Sequence, residues 1–258
     1  MRRRWTSALE RALAAPLVAA GFLTVIPIPV PKTLALGPMG WPVACFPLVG
    51  AVVGGLVAAV GALLAPWFPP SVVAALMVAT LLAVTGALHL DALMDSFDGM
   101  FGGRDPAGRL AIMRDSRVGS YGIAAAGSLL LIEYSALATM TVEGRVRALV
   151  VAAALSRWAM AVILATFPAG STSGLAAGLK PHLRRRHMIG ATVLAAVVAI
   201  GVMGWTGAAM LVPAGLLVFL GGRLAIAKIG GVTGDVCGGL GLVVEATVLL
   251  ACVAISAL

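Results

Sequence analysis

The chain has 258 residues, 61% of them hydrophobic and only 11% charged, with a mean hydropathy of +1.07. Soluble domains carry roughly 25% charged residues, so a fully water-facing surface is excluded and the bilayer is the expected solvent. The net charge of +8 gives no case for nucleic acid as a partner, because the basic residues sit in short segments between apolar runs, as the positive-inside rule requires.

The N-terminus, Met1-Arg2-Arg3-Arg4-Trp5, leads into an apolar run over 13–28 that ends among Pro27, Pro29 and Pro31. It lacks a clear small-residue cleavage site and is read as retained, not as a signal peptide. Seven further runs, 41–68, 71–90, 118–140, 148–167, 188–205, 208–227 and 240–258, are expected to be spans, which need about 20 residues each. The expected fold is therefore all-α: a polytopic integral membrane bundle of about seven transmembrane helices, one domain over 1–258. Homo-oligomerisation stays open. Alternation of spans places the segments 91–117, 180–187 and 228–238 on one face, and their positive charge assigns that face to the cytoplasm. The uncharged 66–70 and 205–207 fall opposite, with Glu143-Gly144-Arg145-Val146-Arg147 as the exception. The same alternation puts 30–40 inside with the N-terminal arginines. The run 13–28 is then a re-entrant or interfacial segment, an eighth span being the alternative. Gly50 and Gly54 form a GxxxG pattern, expected to pack helices within the chain. Trp5, Trp41, Trp67 and Trp205 fall at run ends, where indoles favour the interface. Three scattered cysteines, Cys45, Cys237 and Cys252, give neither a disulfide framework nor a zinc site.

Ten residues are acidic, and five of them, Asp91, Asp95, Asp98, Asp105 and Asp115, lie between 91 and 115. Asp91, Asp95 and Asp98 follow i,i+4 and i,i+3 spacing, so one helical face carries all three. Like charges on one face at a membrane helix end repel, and a cation removes that cost. Carboxylate oxygens select hard cations, so Asp91, Asp95 and Asp98 are the expected ligands of Mg²⁺ or Mn²⁺, with His89 beside them. A merely solvated acidic turn would show no such spacing.

Arg104, Arg114 and Arg117 follow, with Ser116 and Asp115 among them; guanidinium forks suit phosphate oxygens, although topology alone would account for their number. Acidic metal ligands beside basic phosphate ligands are the usual pairing for phosphoryl transfer. Lys180, in the basic segment 180–187, is a further phosphate contact or a topology signal. In Gly230-Gly231-Val232-Thr233-Gly234-Asp235, the glycines Gly231 and Gly234 with Thr233 permit close approach to phosphate, and Asp235 adds a metal or hydroxyl ligand. Glu245 and Glu133, within apolar runs, are candidates as intramembrane carboxylates.

Three motifs, His89-Leu90-Asp91 with Asp95 and Asp98-Gly99, Ile112-Met113-Arg114-Asp115-Ser116-Arg117-Val118-Gly119, and Gly230-Gly231-Val232-Thr233-Gly234-Asp235, together resemble the cobalamin synthase family, the adenosylcobinamide-GDP ribazoletransferases. The segments 22–29 and Phe46-Pro47-Leu48-Val49-Gly50 resemble it too, so the likeness covers nearly the whole chain. The chain departs from it at Ala87 and Ala92, where the family tends to have glycine, and at Met94, where it has a small residue. These departures touch helix packing and leave every ionisable group in place. The resemblance implies attack by a hydroxyl of α-ribazole, or of its 5′-phosphate, on adenosylcobinamide-GDP, with GMP leaving, Mg²⁺ as cofactor and a bacterial inner membrane location. The chemistry of the residues fits this, with His89 or Asp115 as the group expected to orient or deprotonate the hydroxyl. Two other readings are a CDP-alcohol phosphatidyltransferase, whose Ala-Arg after Asp98-Gly99 is absent, and a cation-coupled transporter.

Overall fold

The computed structural model describes residues 8–30 and 39–256. Among them the chain is helical throughout: α1 (Ala8–Leu23), α2 (Gly40–Ala44), α3 (Phe46–Leu64), α4 (Pro70–Thr85), α5 (Leu88–Gly102), α6 (Pro106–Ile112), α7 (Ser120–Thr139), α8 (Val142–Thr166), α9 (Leu175–Leu179), a 3₁₀ turn (Lys180–His182), α10 (Arg185–Ala209), α11 (Leu211–Ile229) and α12 (Gly234–Ser256). Six of these, α3, α7, α8, α10, α11 and α12, are long and apolar enough to cross a membrane, or seven spans if the bent pair α4–α5 is one. The chain is a multi-pass membrane bundle.

Helix α8 is its axis. Of its apolar stretch 83% is buried against other helices, against 17% for α10, so α8 forms the core and α10 faces lipid. Close approach to α8 depends on Gly50 and Gly54. A Cβ on Gly50 would stand 2.2 Å from the Ala153 carbonyl oxygen, and one on Gly54 2.4 Å from that of Leu149. The GxxxG pattern thus serves packing within the chain, where small residues let backbones meet. Helix α12 lies on the other side of α8 and is 72% buried over its apolar stretch. Between them sits a fully buried ion pair, Arg157 Nη1 to Glu245 Oε2 at 2.5 Å. Glu133 on α7 is buried beside it and feels both charges.

The run expected to span 71–90 breaks instead. Helix α4 stops at Thr85, and α5 leaves at 88° to it. The turn is made by two successive left-handed residues, Gly86 at φ 61° and Ala87 at φ 54°, the second a conformation that an L side chain resists. The Gly86 N–H donates to Ala83 O and the Ala87 N–H to Leu82 O, which closes the last turn of α4. The chain after α1 braces the bend: the Val25 N–H donates to Val84 O at 3.0 Å. The apolar part of α1, Leu13–Leu23, is shorter than a span needs.

The arginine-bearing exception at 143–147 is not a loop. It forms the first turns of α8, with Thr141 as N-cap accepting from the Gly144 N–H at 3.1 Å. Arg145 is buried, and its Nε donates to Leu137 O at 2.7 Å near the end of α7. A guanidinium satisfying terminal carbonyls explains a positive charge that topology alone would place elsewhere. Exposed Trp41, Trp67 and Trp205 lie near helix ends as expected, whereas Trp5 lies outside the described residues.

Candidate functional site

The bend delivers α5 to the end of the bundle where the connections 103–119, 167–184 and 230–233 meet. A cavity of about 560 Å³ opens there. His89, Asp91, Arg114, Thr233, Gly234 and Asp235 contribute to its lining. Residues about 25, 120 and 144 positions apart in sequence are thereby joined, because α5 packs along the first turns of α12. That packing requires glycines on α12. A Cβ on Gly238 would lie 2.8 Å from the Ala92 Cβ, and one on Gly239 2.9 Å from the Leu93 Cα.

The four carboxylates divide by environment. Asp91 is exposed, Asp95 and Asp235 are half-buried, and Asp98 is buried. The charges of Asp91, Asp235 and Asp98 all act on Asp95. Asp98 is bound already: its Oδ2 accepts from the Gly119 N–H at 2.7 Å and its Oδ1 from the Gly122 N–H at 2.8 Å. Both donors belong to the N-terminal turn of α7, whose unpaired N–H groups and dipole favour an anion. Asp98 therefore docks α7 on α5. Among the described residues no three His, Cys, Asp or Glu side chains are preassembled into a metal cage. A few aspartates open to a cavity suit Mg²⁺, which keeps water and substrate phosphate oxygens in its shell rather than filling it with protein ligands.

His89 is 3% exposed, and neither ring nitrogen has a protein hydrogen-bond partner among the described residues. His89 forms part of the cavity wall, and the buried Arg157 acts on it through charge. The first turn of α12 holds Asp235 in place: Thr233 Oγ1 accepts from the Val236 N–H at 3.2 Å and donates weakly to Asp235 Oδ2 at 3.5 Å. Gly231 is needed for a protein contact: a Cβ there would meet Pro168 O at 2.4 Å.

Other expected site residues stand apart from the cavity lining. Asp115 and Arg117 pair with each other in the loop before α7, with Arg117 Nη2 at 2.6 Å from Asp115 Oδ2. The hydrogen bonds from the Arg117 side chain and N–H hold the Asp115 carboxyl at about 2. Ser116 and Arg104 are exposed. Lys180 turns inward to the end of α8, donating to Leu164 O at 3.2 Å and to Phe167 O, and burial lowers its pKa. Arg114 alone of these cations lines the cavity, and its Nη2 donates to Ser171 Oγ at 2.9 Å.

Ser171, Ser173 and Gly174 also line the cavity and have no counterpart among the sequence expectations. Their segment carries no charge, and its only signal is a run of Pro, Gly and Ser of the kind that marks loops. Arg157 also went unremarked, inside an apolar run. The apolar remainder of the wall includes Phe22 from α1, Met113 and Met160, so the cavity pairs charged groups with room for an uncharged body.

Three curated relatives match along nearly their full length. All three are adenosylcobinamide-GDP ribazoletransferases. The protein of Stutzerimonas stutzeri is 37% identical, over 91% of this chain and 95% of the relative. That of Desulfitobacterium hafniense is 35% identical, over 86% and 89%. That of Pseudomonas aeruginosa is 34% identical, over 94% and 99%. No solved structure matches. The profile of one family matches residues 15–253, from α1 to the last helix, and by that match and these relatives the chain belongs to the cobalamin-5-phosphate synthase family.

Proposed function

We propose that this chain is a transferase that joins α-ribazole, or its 5′-phosphate, to adenosylcobinamide-GDP, the last assembly step of coenzyme B12. A ribose hydroxyl oxygen forms a bond to the phosphorus attached to cobinamide. The bond from that phosphorus to the bridging oxygen breaks, and GMP leaves with the oxygen. The observation that carries this reading is one cavity lined by Asp91 and Asp235, Arg114 and a broad apolar wall, in a chain of this family.

Asp91, Asp95 and Asp235 would hold Mg²⁺, which when bound neutralises charge on the diphosphate. Asp98 adds negative charge, and any direct metal bond from it would use lone pairs not already given to α7. Arg114 neutralises charge on the GMP side, and the GMP phosphate is also the group that Arg104, Ser116, Arg117 and Lys180 would meet if their loops close over it. His89, buried and with both nitrogens unclaimed, is the better placed group to orient the attacking hydroxyl. Asp115, held ionised by Arg117, is a weak base. Gly231, Thr233 and Gly234 keep the turn close to the phosphates. The site faces the cytoplasm of a bacterial inner membrane, as the positive charge of its loops directs.

The test is GMP release from adenosylcobinamide-GDP and α-ribazole phosphate by the protein in detergent micelles with Mg²⁺. Release that EDTA and Asp91→Ala both abolish is expected. Release that survives EDTA would remove the metal from the reading, and no release from folded protein would refute the transferase.

A further inference from the structure

We propose that the segment 168–174 is a strap that fixes Arg114 over the cavity and forms, with it, one jaw of a diphosphate site. The proposal rests on the phosphate-handling part of the reading above. The strap is tied to the turn that carries Asp235. Ala169 and Val232 form a parallel bridge. The Gly170 N–H donates to Val232 O at 2.9 Å and the Val232 N–H to Pro168 O at 2.8 Å. The two backbones meet so closely that a Cβ on Gly170 would stand 2.7 Å from Gly231 O. Strap and turn are therefore joined backbone to backbone.

Ser171 is the centre of the strap. Its Oγ accepts from Arg114 Nη2 at 2.9 Å and from the Ser173 N–H at 3.3 Å, and it lies 3.4 Å from Ser173 Oγ. A hydroxyl has two acceptor lone pairs and one proton, so the Arg114 and Ser173 N–H contacts use both lone pairs, and the proton donates to Ser173 Oγ or to a ligand in the cavity. Arg114 commits one donor to Ser171 and keeps the rest of its fork. Gly174, at φ 95°, then turns the chain into α9, whose Leu175 and Ala176 return to the cavity wall. The result is a cavity lined by both charges: Arg114 held by the serines, with Asp91 and Asp235 in the same lining. A metal-bound diphosphate, cationic at its metal and anionic at its oxygens, is the ligand such a lining suits. The strap carries no charge of its own, so membrane topology gives no reason for it.

The experiment compares wild type with Ser171→Ala, Ser171→Thr and Ser173→Ala in micelles. Two readouts are taken: binding of inorganic diphosphate with Mg²⁺, and the KM and kcat of GMP release. Loss of the hydrogen bond that orients Arg114 should weaken diphosphate roughly three- to tenfold in Ser171→Ala. KM for adenosylcobinamide-GDP should rise by a similar factor with kcat little changed, and Ser171→Thr should restore both. Ser173→Ala should show a smaller effect in the same direction. Diphosphate affinity unchanged in both alanine variants overturns the strap, as does a wild type that binds no diphosphate. Equal losses in Ser171→Ala and Ser171→Thr, with lowered melting temperatures, also overturn it, since the loop would then be merely structural. A wild type that binds diphosphate in a Ser171-dependent way but releases no GMP leaves the strap standing and refutes the transferase reading.

Discussion

Replacing Asp98 by alanine separates a docking carboxylate from metal-binding ones. In the native fold each Asp98 oxygen accepts one backbone N–H at the start of α7, and the side chain is buried. Hydrogen bonds to a charged acceptor are worth about 1.5–3 kcal/mol each, and the Gly122 N–H would be left buried and unpaired. The lost attraction to the N-terminus of α7 adds up to about 1 kcal/mol. Allowing for relaxation and entry of water, the expected cost is about 3–5 kcal/mol, a fall in melting temperature of roughly 6–20 °C. Asp91→Ala, at an exposed position, should cost no more than about 0.5 kcal/mol. Five tryptophans make intrinsic fluorescence a suitable probe, with melting in micelles recorded in EDTA and again in Mg²⁺. The Asp98 deficit should appear in full in EDTA. A Cβ on Gly122 would stand 2.5 Å from Asp98 Oδ2, so Gly122→Ala should be costly alone and much less so beside Asp98→Ala. An Asp98→Ala protein that melts with wild type in EDTA and falls behind only in Mg²⁺ would refute the docking argument and make Asp98 a metal ligand first.

Three further outcomes follow from single positions. Ala87→Gly removes the left-handed alanine at the α4–α5 bend and should stabilise by about 0.5–1 kcal/mol, seen as a rise in melting temperature; a fall would mean that the bend is unstrained. Gly238→Ala sets its Cβ against that of Ala92 and should cost about 1–3 kcal/mol and most GMP release, while adding Ala92→Gly should recover both; no recovery would place the clash elsewhere. The Asp115 carboxyl, held at about 2, supports folding above about pH 4 and loses that contribution only as pH falls toward 2. Asp115→Asn should therefore leave the acidic limb of the kcat/KM profile in place, and a limb that vanished would name Asp115 as the base.

Composition alone was enough for the bundle, because only a lipid solvent accommodates so few charges. The motifs at 89–98, 114 and 233–235 were legible because their spacing puts chemistry on one helix face or at one helix end, and the fold brings His89, Asp91, Arg114 and 233–235 to one cavity, while Asp95 and Asp98 stand outside its lining. The bend was hidden: nothing in the residues of 71–90 interrupts the apolar run, and an alanine at φ 54° leaves no trace in a sequence. Arg145 and Lys180 read as loop charges because their carbonyl partners belong to other segments or to a helix end more than ten residues away. Asp98 kept the right spacing for a metal ligand yet faces α7, since helical periodicity fixes an angle and not a neighbour. The strap at 168–174 was invisible for the opposite reason to the arginines, having no charge to draw notice.

The ion pair between Arg157 and Glu245 bears on how the chain is made. Synthesis delivers α8 to the bilayer long before α12, with Arg157 near the middle of its apolar stretch. A lone charge at that depth costs roughly 2.5–3.5 kcal/mol on insertion scales, and its partner lies 88 positions downstream. Until the last helix arrives, α8 is a span carrying an unanswered cation, and α7 brings only Glu133 to meet it. The C-terminal helix is thus the piece that completes the membrane-buried charge balance. Chains cut short before it should linger as poorly inserted species open to membrane proteases, and they would also lack the first turn of that helix, which brings Asp235 to the cavity.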